Sequence, residues 1–350
     1  MADQKLILSL TSYPARIQFV PSVLESLLSQ SRPADLIVLY LSADQFPQRD
    51  GDLPDALLQA KANQQLEIRW VNGDLKPHKK YFYAFREYPD DIIVTVDDDV
   101  FYEPVLLERL WETHLQFPDA VVAGQTHLIT LDRSGQPNPY KYWLRRTFGF
   151  ESGPSMQLFA VGIGGVLYHP RWFPEELYNE EVIRKTCLTA DDLWLKTMEL
   201  AAGIPVVFSP ASTFLRIVPG SQKTSLYQYN LDQDRNDESL AAIRDWADSF
   251  YGKDFFSSRL AGGQWPAVRD ESSLYTYLND ERKRILDAFH ATSMKLRIAE
   301  KDKARQLGEI SDLRREIDRL HQELDTIRNS SSFKLGSTLS KPLNKLRGKP

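Results

Sequence analysis

Over the first hundred residues, short apolar runs alternate with amphipathic segments, and this alternation restricts the chain to a few architectures. Lys5–Thr11, Leu36–Leu41, Leu66–Val71 and Asp91–Val96 are rich in Leu, Ile and Val, which predicts strands buried on both faces. Between the first two, apolar side chains fall at Val20, Val23, Leu24, Leu27 and Leu28, the spacing of one helix face. Leu53–Ala62 fits a second helix, and Tyr81–Tyr88 a third entered at Pro77, since proline suits a first helical turn. Strands separated by helices of this length imply an α/β fold with a parallel sheet covered on both faces. Such sheets bind ligands in the crevice beyond the carboxyl ends of their strands.

The second half is less regular. Gln157–Tyr168 reads as strand interrupted by Gly162, Gly164 and Gly165. Ala190–Ala202 reads as helix and Ile204–Phe208 as strand, while Gln228–His290 holds short helices rich in aromatic and acidic residues. Further on, Ile310, Leu313, Ile317, Leu320, Leu324 and Ile327 follow a 3-4 rhythm, a heptad seam with charges between. It spans under three clear heptads, so docking on its own domain and self-association as a homodimer both remain open. After Asp325 there is no acidic residue, while Lys334, Lys341, Lys345, Arg347 and Lys349 lie among scattered leucines. Such a segment suits either contact with anionic lipid or a solvated tail.

Composition limits the class. With 350 residues, 42% hydrophobic and 26% charged, the chain is large and apolar enough to bury a sizeable core. No run approaches the roughly 18 apolar residues of a spanning helix. Leu6-Ile7-Leu8-Ser9-Leu10 falls short of the about 7–15 apolar residues of a signal-peptide core. A single cysteine, Cys187, makes an internal disulfide unavailable and fits a reducing compartment, so the expected location is cytoplasmic, with the inner face of the plasma membrane as an alternative. The 43 basic and 48 acidic residues give a net charge of −5, which argues against nucleic acid as a partner.

The most informative string is Ile92-Ile93-Val94-Thr95-Val96-Asp97-Asp98-Asp99-Val100, a buried strand running into three acids. In extended chain Asp97 and Asp99 share a face. Carboxylates so close repel unless a cation or proton intervenes, and carboxylate oxygens are what Mg²⁺ and Mn²⁺ prefer. Mg²⁺ takes one or two protein carboxylates and fills its shell with water and substrate phosphates, so Asp97 and Asp99 are the expected metal ligands. An EF-hand would need a glycine at its sixth position and a late glutamate, and neither fits. The G-x-x-x-x-G-K-[ST] phosphate loop is absent. Thr11-Ser12-Tyr13-Pro14 follows the first strand in place of G-x-G-x-x-G, which excludes the dinucleotide fingerprint.

This order of features resembles nucleotide-sugar-dependent glycosyltransferases of the GT-A type, in the style of bacterial family-2 enzymes. Asp97-Asp98-Asp99 matches their D-x-D motif. The layout is also similar to exostosin-like transferases, with the later Phe117-Pro118-Asp119 and an acidic pair before a helix. The resemblance covers residues 5 to about 225 and implies a Rossmann-like, mostly parallel sheet over 1–228. A helical extension over 229–292, a coiled-coil helix over 293–329 and a basic tail over 330–350 complete the expected organisation.

What the resemblance implies for the site is specific. The loop holding Thr11, Ser12, Tyr13 and Arg16 would bind the nucleotide, with Asp98 beside it; hydroxyls and a guanidinium suit a base, ribose or phosphate. Asp74, Lys79 and Lys80 precede a helix, and a basic residue there would approach the diphosphate. Lysines at a helix N-terminus oppose its dipole, which an incoming anion would relieve; the alternative is plain solvation. Gly164 and Gly165 would line the donor-sugar pocket. Asp191 and Asp192 fall where family-2 enzymes carry their catalytic base, and Asp192 is the candidate to take the acceptor proton. The alternative there is a helix cap, with Thr189 as N-cap and Asp192 as the capping-box acid. Lys223 and Ser225 are candidates for a lid, and Trp111, Trp143 and Trp172 for sugar stacking or packing. No histidine is assigned to metal, and Cys187 reads as core filler.

The implied activity is metal-dependent transfer from a nucleotide-sugar, a UDP-sugar in the first instance, to a hydroxyl of a glycan or lipid-linked acceptor, with inversion. The exostosin-like layout implies retention instead. Two other classes compete. A phosphate-ester hydrolase of the haloacid-dehalogenase kind would want Thr or Val at position 101, where Phe101 stands. A non-catalytic scaffold acting through the coiled coil would not need the acid set.

Overall fold

The computed structural model describes residues 4–132, 134–145, 153–211, 216–221, 235–261 and 307–329. Lys223, Ser225, much of the expected helical extension and the basic tail lie outside them. In chain order the elements are β1 (Leu6–Thr11), α1 (Val20–Leu28), β2 (Leu36–Ser42), α2 (Asp55–Ala62), β3 (Glu67–Val71), α3 (Lys79–Phe82), α4 (Ala84–Glu87), β4 (Ile92–Thr95), β5 (Val100–Phe101) and α5 (Leu106–Gln116). Then come β6 (Val121–Ala123), β7 (Thr126–Leu128), β8 (Leu144–Arg145), β9 (Leu158–Ala160), β10 (Val166–Tyr168), α6 (Glu180–Thr186), α7 (Asp191–Ala202), β11 (Val206–Phe208) and β12 (Arg216–Ile217). Three helices follow: α8 (Arg235–Tyr251), α9 (Phe255–Leu260) and α10 (Leu307–Asn329).

The chain divides into two units, 1–129 with 146–265, and 130–145 with 266–350. In the first, seven strands form one sheet in the order β11-β6-β10-β4-β1-β2-β3. β1 runs parallel to β2 and β4, β2 to β3, and β6 to β11, while β10 lies antiparallel between β4 and β6. This is the mostly parallel α/β sheet that the alternating pattern predicts. Its inner strands are apolar on both faces, and Ile7, Leu8, Val38, Leu39, Ile93 and Val94 are fully enclosed. The chain passes from β1 outward to β3 and then returns to place β4 on the other side of β1. That reversal opens a crevice between the loops that leave β1 and β4, where such sheets hold ligands.

α1 buries Val20, Val23, Leu24 and Leu27 of the face its spacing predicts, while Leu28, at the helix end, is exposed. The expected helix over Tyr81–Tyr88 is corrected: it begins at Lys79, after a short turn over Lys76–His78, and breaks at Tyr83 into α3 and α4. The glycine-interrupted strand is two strands, β9 and β10, joined by a tight turn over Gly162–Gly164. α7 is buried almost all round, from Leu193 to Leu200, and contains a charged pair, Lys196 and Glu199, 3.2 Å apart. Trp246 of α8 packs against Trp194 of α7 with the rings tilted by 44°, centres 5.0 Å apart.

In the second unit, Trp143 is buried and donates from its indole N–H to the Asn138 carbonyl at 2.8 Å. Along α10, Leu320 and Leu324 are buried, Leu313, Ile317 and Glu316 are partly exposed, and Arg319 pairs with both Glu316 and Glu323. No helix among the described residues is long and apolar enough to cross a membrane.

Candidate active site

β1 and β4 are neighbours, and the Val96 amide still donates to the Ser9 carbonyl at 3.0 Å. The loops that follow them, Ser12–Arg16 and Asp97–Asp99, therefore emerge side by side. Ser12 donates to Asp98 at 2.5 Å, and the Arg16 guanidinium reaches Asp98 at 3.1 Å and Asp99 as well. All four residues are buried. Burial opposes the charge on Arg16, but Asp98, Asp99 and Asp97 outweigh it and raise its proton affinity. Burial lifts the Asp98 carboxyl to about 6, against the opposing pull of Arg16 and the Ser12 hydroxyl.

α3 brings a second cation from the other side. Lys80 is only 3% exposed, and its ammonium contacts Asp97 at 2.7 Å and Asp191 at 3.0 Å. Burial would lower its proton affinity, yet Asp191, Asp97 and Asp192 raise it well above the ordinary lysine range. Lys80 is thus enclosed and paired with two carboxylates rather than solvated. Lys79 is also buried and pairs with Asp74, which holds Lys76 at 2.7 Å too. Asp74 also accepts from the Lys76 amide at 2.9 Å, in a turn where Lys76 takes φ +52°, a conformation costly for a residue with a side chain.

The acidic pair at the start of α7 completes the site. Ala190, not Thr189, is the N-cap, without a side-chain capping bond, so the capping-box alternative is not what forms. Asp192 instead accepts from the Gly162 amide at 3.1 Å, across from the turn that joins β9 to β10. Enclosure of its carboxyl and the adjacent Asp191 raise it well above the usual carboxylate range, with Lys80 pulling the other way.

The expected glycines make their close approaches to protein. A Cβ on Gly164 would sit 2.5 Å from the Gln125 backbone, and one on Gly165, at φ +78°, would meet Leu106 at 3.1 Å. Gly162 is the one that faces the acids: a Cβ there would lie 2.9 Å from Asp192 and 3.2 Å from the Lys80 ammonium. Thr11 spends its hydroxyl on the Tyr40 carbonyl of β2 at 2.8 Å. Tyr13 is partly exposed, and its carbonyl closes the turn onto Arg16. Trp111 stacks under Arg32, 4.2 Å from its ring centre, and Trp172 is partly exposed beside His114 and His169. The buried Cys187 thiol is pushed up to about 12, as suits core filler.

Sequence reasoning did not find Tyr102. Its phenol oxygen accepts from the Asp97 amide at 2.8 Å and donates to the Ile163 carbonyl at 3.3 Å. It clips the acid loop to the glycine turn. The Val218 amide, beside β12, donates to the Asp99 carbonyl at 2.8 Å and holds the loop from the outside. An aromatic three residues past an acid run carries no sequence signal for such a clip.

No family model matches the chain, and no curated protein matches it by sequence. Among solved structures it is similar to S. aureus TarS in complex with UDP, at 15% identity and a TM-score of 0.36, over 93% of this chain and 91% of that one. The TarS structure with UDP-GlcNAc gives 14%, a TM-score of 0.38, and 93% and 92% coverage. CMP:2-keto-3-deoxy-manno-octonic acid synthetase complexed with CTP matches at 12%, TM-score 0.37, over 66% of this chain and all of that one. Glucosyl-3-phosphoglycerate synthase from Mycobacterium tuberculosis, in complex with Mn²⁺, UDP and glucosyl-3-phosphoglycerate, matches at 16% and TM-score 0.26, over 35% of this chain and 44% of that chain. These are distant similarities.

Proposed function

We propose that this chain is a nucleotide-sugar-dependent glycosyltransferase. The observation that carries the reading is convergence. Five carboxyls from two segments, Asp97, Asp98, Asp99, Asp191 and Asp192, meet Ser12, Arg16 and Lys80 at the carboxyl edge of β1 and β4. Gathered acids of which two, Asp98 and Asp192, have raised proton affinity are a common mark of a reaction site.

A divalent ion fits this donor set. Five carboxyls face two cations, Arg16 and Lys80, so the cluster carries excess negative charge of the oxygen kind that Mg²⁺ and Mn²⁺ accept. Among the described residues no three His, Cys, Asp or Glu form a metal cluster on their own. That suits an ion held by one or two carboxylates with a diphosphate supplying the rest. Asp97 and Asp99 would hold it, and when bound it supplies Lewis-acid stabilisation of charge on the leaving nucleotide.

The protein's own residues do the remainder. Ser12 and Arg16 line the nucleotide side, and release of Arg16 from Asp99 would free a guanidinium for a phosphate. Asp192 is the general base that takes the proton from an acceptor hydroxyl of a glycan or lipid-linked precursor. Burial and the adjacent Asp191 raise its proton affinity, which favours acceptance of a proton. Asp191, tied to Lys80, would have to break an ion pair to accept a proton. With Asp192 as the base that activates the acceptor, the expected outcome is inversion.

The test is thermal stabilisation by UDP, GDP and CMP, each with and without Mn²⁺, on wild type and Asp99→Asn. A ligand at about 100 times its dissociation constant adds roughly 2.7 kcal/mol, which is readily seen as a rise in Tm. A metal-dependent shift with UDP that is lost in Asp99→Asn is expected. No shift with any nucleotide would sink the proposal.

A further inference from the structure

Lys80 stands in a place where a phosphate ligand would be expected, yet the structure gives it other work. Its ammonium has three donors and no acceptor, and two carboxylates already face it, Asp97 Oδ1 at 2.7 Å and Asp191 Oδ2 at 3.0 Å. Its side chain is almost wholly enclosed. Its backbone is fixed as well. The Ser9 hydroxyl of β1 donates to the Lys80 carbonyl, the preceding Lys79 is paired with Asp74, and His78 bonds the Cys187 carbonyl and the Tyr81 hydroxyl at 2.8 Å each. On the remaining side the turn before β10 presses close: a Cβ on Gly162 would lie 3.2 Å from the ammonium. A cation so enclosed has little open side to offer a diphosphate.

The two carboxylates it joins belong to different parts of the reaction. Asp97 leaves β4 in the acid run on the donor side, and Asp191 opens α7 beside the general base. Asp192, one residue on, turns to the neutral Gly162 amide instead. We propose that Lys80 is a positioning residue: it ties the donor-side Asp97 to Asp191 and so leaves Asp192 as the carboxylate presented to the acceptor hydroxyl. It does not hold the donor diphosphate. This rests on the glycosyltransferase reading. One buried ammonium sets the separation of the two acids, through a charge-assisted hydrogen bond to Asp97 and an ion pair with Asp191, and a misplacement of about 1 Å at a reacting group costs on the order of 100-fold in rate.

The experiment uses the full chain with Lys80→Met, Lys80→Arg and the double variant Lys80→Met/Asp191→Asn. UDP affinity in the presence of Mn²⁺ is measured by calorimetry. Turnover is measured as UDP released from a UDP-sugar, with water as acceptor where no hydroxyl is supplied. Lys80→Met should lower kcat about 100-fold while the Kd for UDP stays within about threefold. Lys80→Arg should recover part of that turnover, because the charge remains. The double variant removes one of the two partner charges along with the ammonium; it should show the same split, and it carries the test if Lys80→Met does not fold. A rise of tenfold or more in the Kd for UDP with kcat little changed would make Lys80 a phosphate ligand and overturn the inference, as would an unchanged kcat. If wild type itself fails to bind UDP or any other nucleotide, the glycosyltransferase reading falls first and this inference with it.

Discussion

Helix α7 carries two ion-paired sites of opposite design. In its middle, Lys196 and Glu199 pair one to one, each about 1% exposed. Burial pushes Lys196 down and Glu199 up, and each partner opposes the shift in the other. At its start, Asp191 and Asp192 join Asp97, Asp98 and Asp99 against only Lys80 and Arg16. The first site is balanced and closed, and nothing further is needed to complete it. The second carries acid in excess at a sheet edge, which is stable only with protons or a cation. Charge balance, more than burial, separates a structural pair from a site prepared for a ligand.

The largest expected effect breaks the balanced pair. Lys196→Met or Glu199→Gln alone leaves one charged or polar partner buried, and urea unfolding should show a loss of about 3–5 kcal/mol. Replacing both, as Lys196→Met/Glu199→Leu, should be close to neutral and leave nucleotide binding intact. A double variant as unstable as the singles would mean that the pair is not an isolated structural unit.

A smaller effect comes from pH. His78 is wholly buried, and burial lowers it to about 4 from an ordinary 6.5. Between those values the unfolded chain binds a proton that the folded chain does not. Stability should therefore fall as pH drops from about 6.5 to 4, by about 1.4 kcal/mol per unit and about 3 kcal/mol in all. The difference between wild type and His78→Gln, measured by denaturant titration across that range, should contain this slope. A difference independent of pH would show that His78 does not titrate in this way.

The smallest sharpens the account of the acid cluster. Gly162→Ala places a methyl 2.9 Å from Asp192 and 3.2 Å from Lys80. The expected cost is about 1–3 kcal/mol of stability, with turnover reduced more than nucleotide affinity. A variant with full activity would remove Gly162 from the site.

Much of the frame was legible. The buried strands and the apolar face of α1 follow from local spacing, because a strand covered on both faces must be apolar throughout and a half-buried helix must repeat at 3.6 residues. The break at Tyr83 was not legible. There the ring stacks on Tyr40 of β2, 5.8 Å between centres, a contact between residues far apart in the chain. The acids were easy to see as a string, but their pairing was not. Asp98 and Asp99 with Arg16, and Asp97 with Lys80, are contacts across more than ten residues, and no local period encodes them.

The sequence by itself determined an α/β sheet with an acid run at the carboxyl end of β4 and a second acidic pair opening α7. Hydrophobic periodicity and chain connectivity are local properties, so they can be read in one dimension. Tertiary structure alone decided that Lys80 is buried between two acids, that Tyr102 clips the acid loop, and that Gly162 is the glycine facing Asp192. Each depends on which distant segments share one crevice. The enclosure there raises the Asp98 and Asp192 carboxyls, and the acids it gathers raise Arg16 and Lys80.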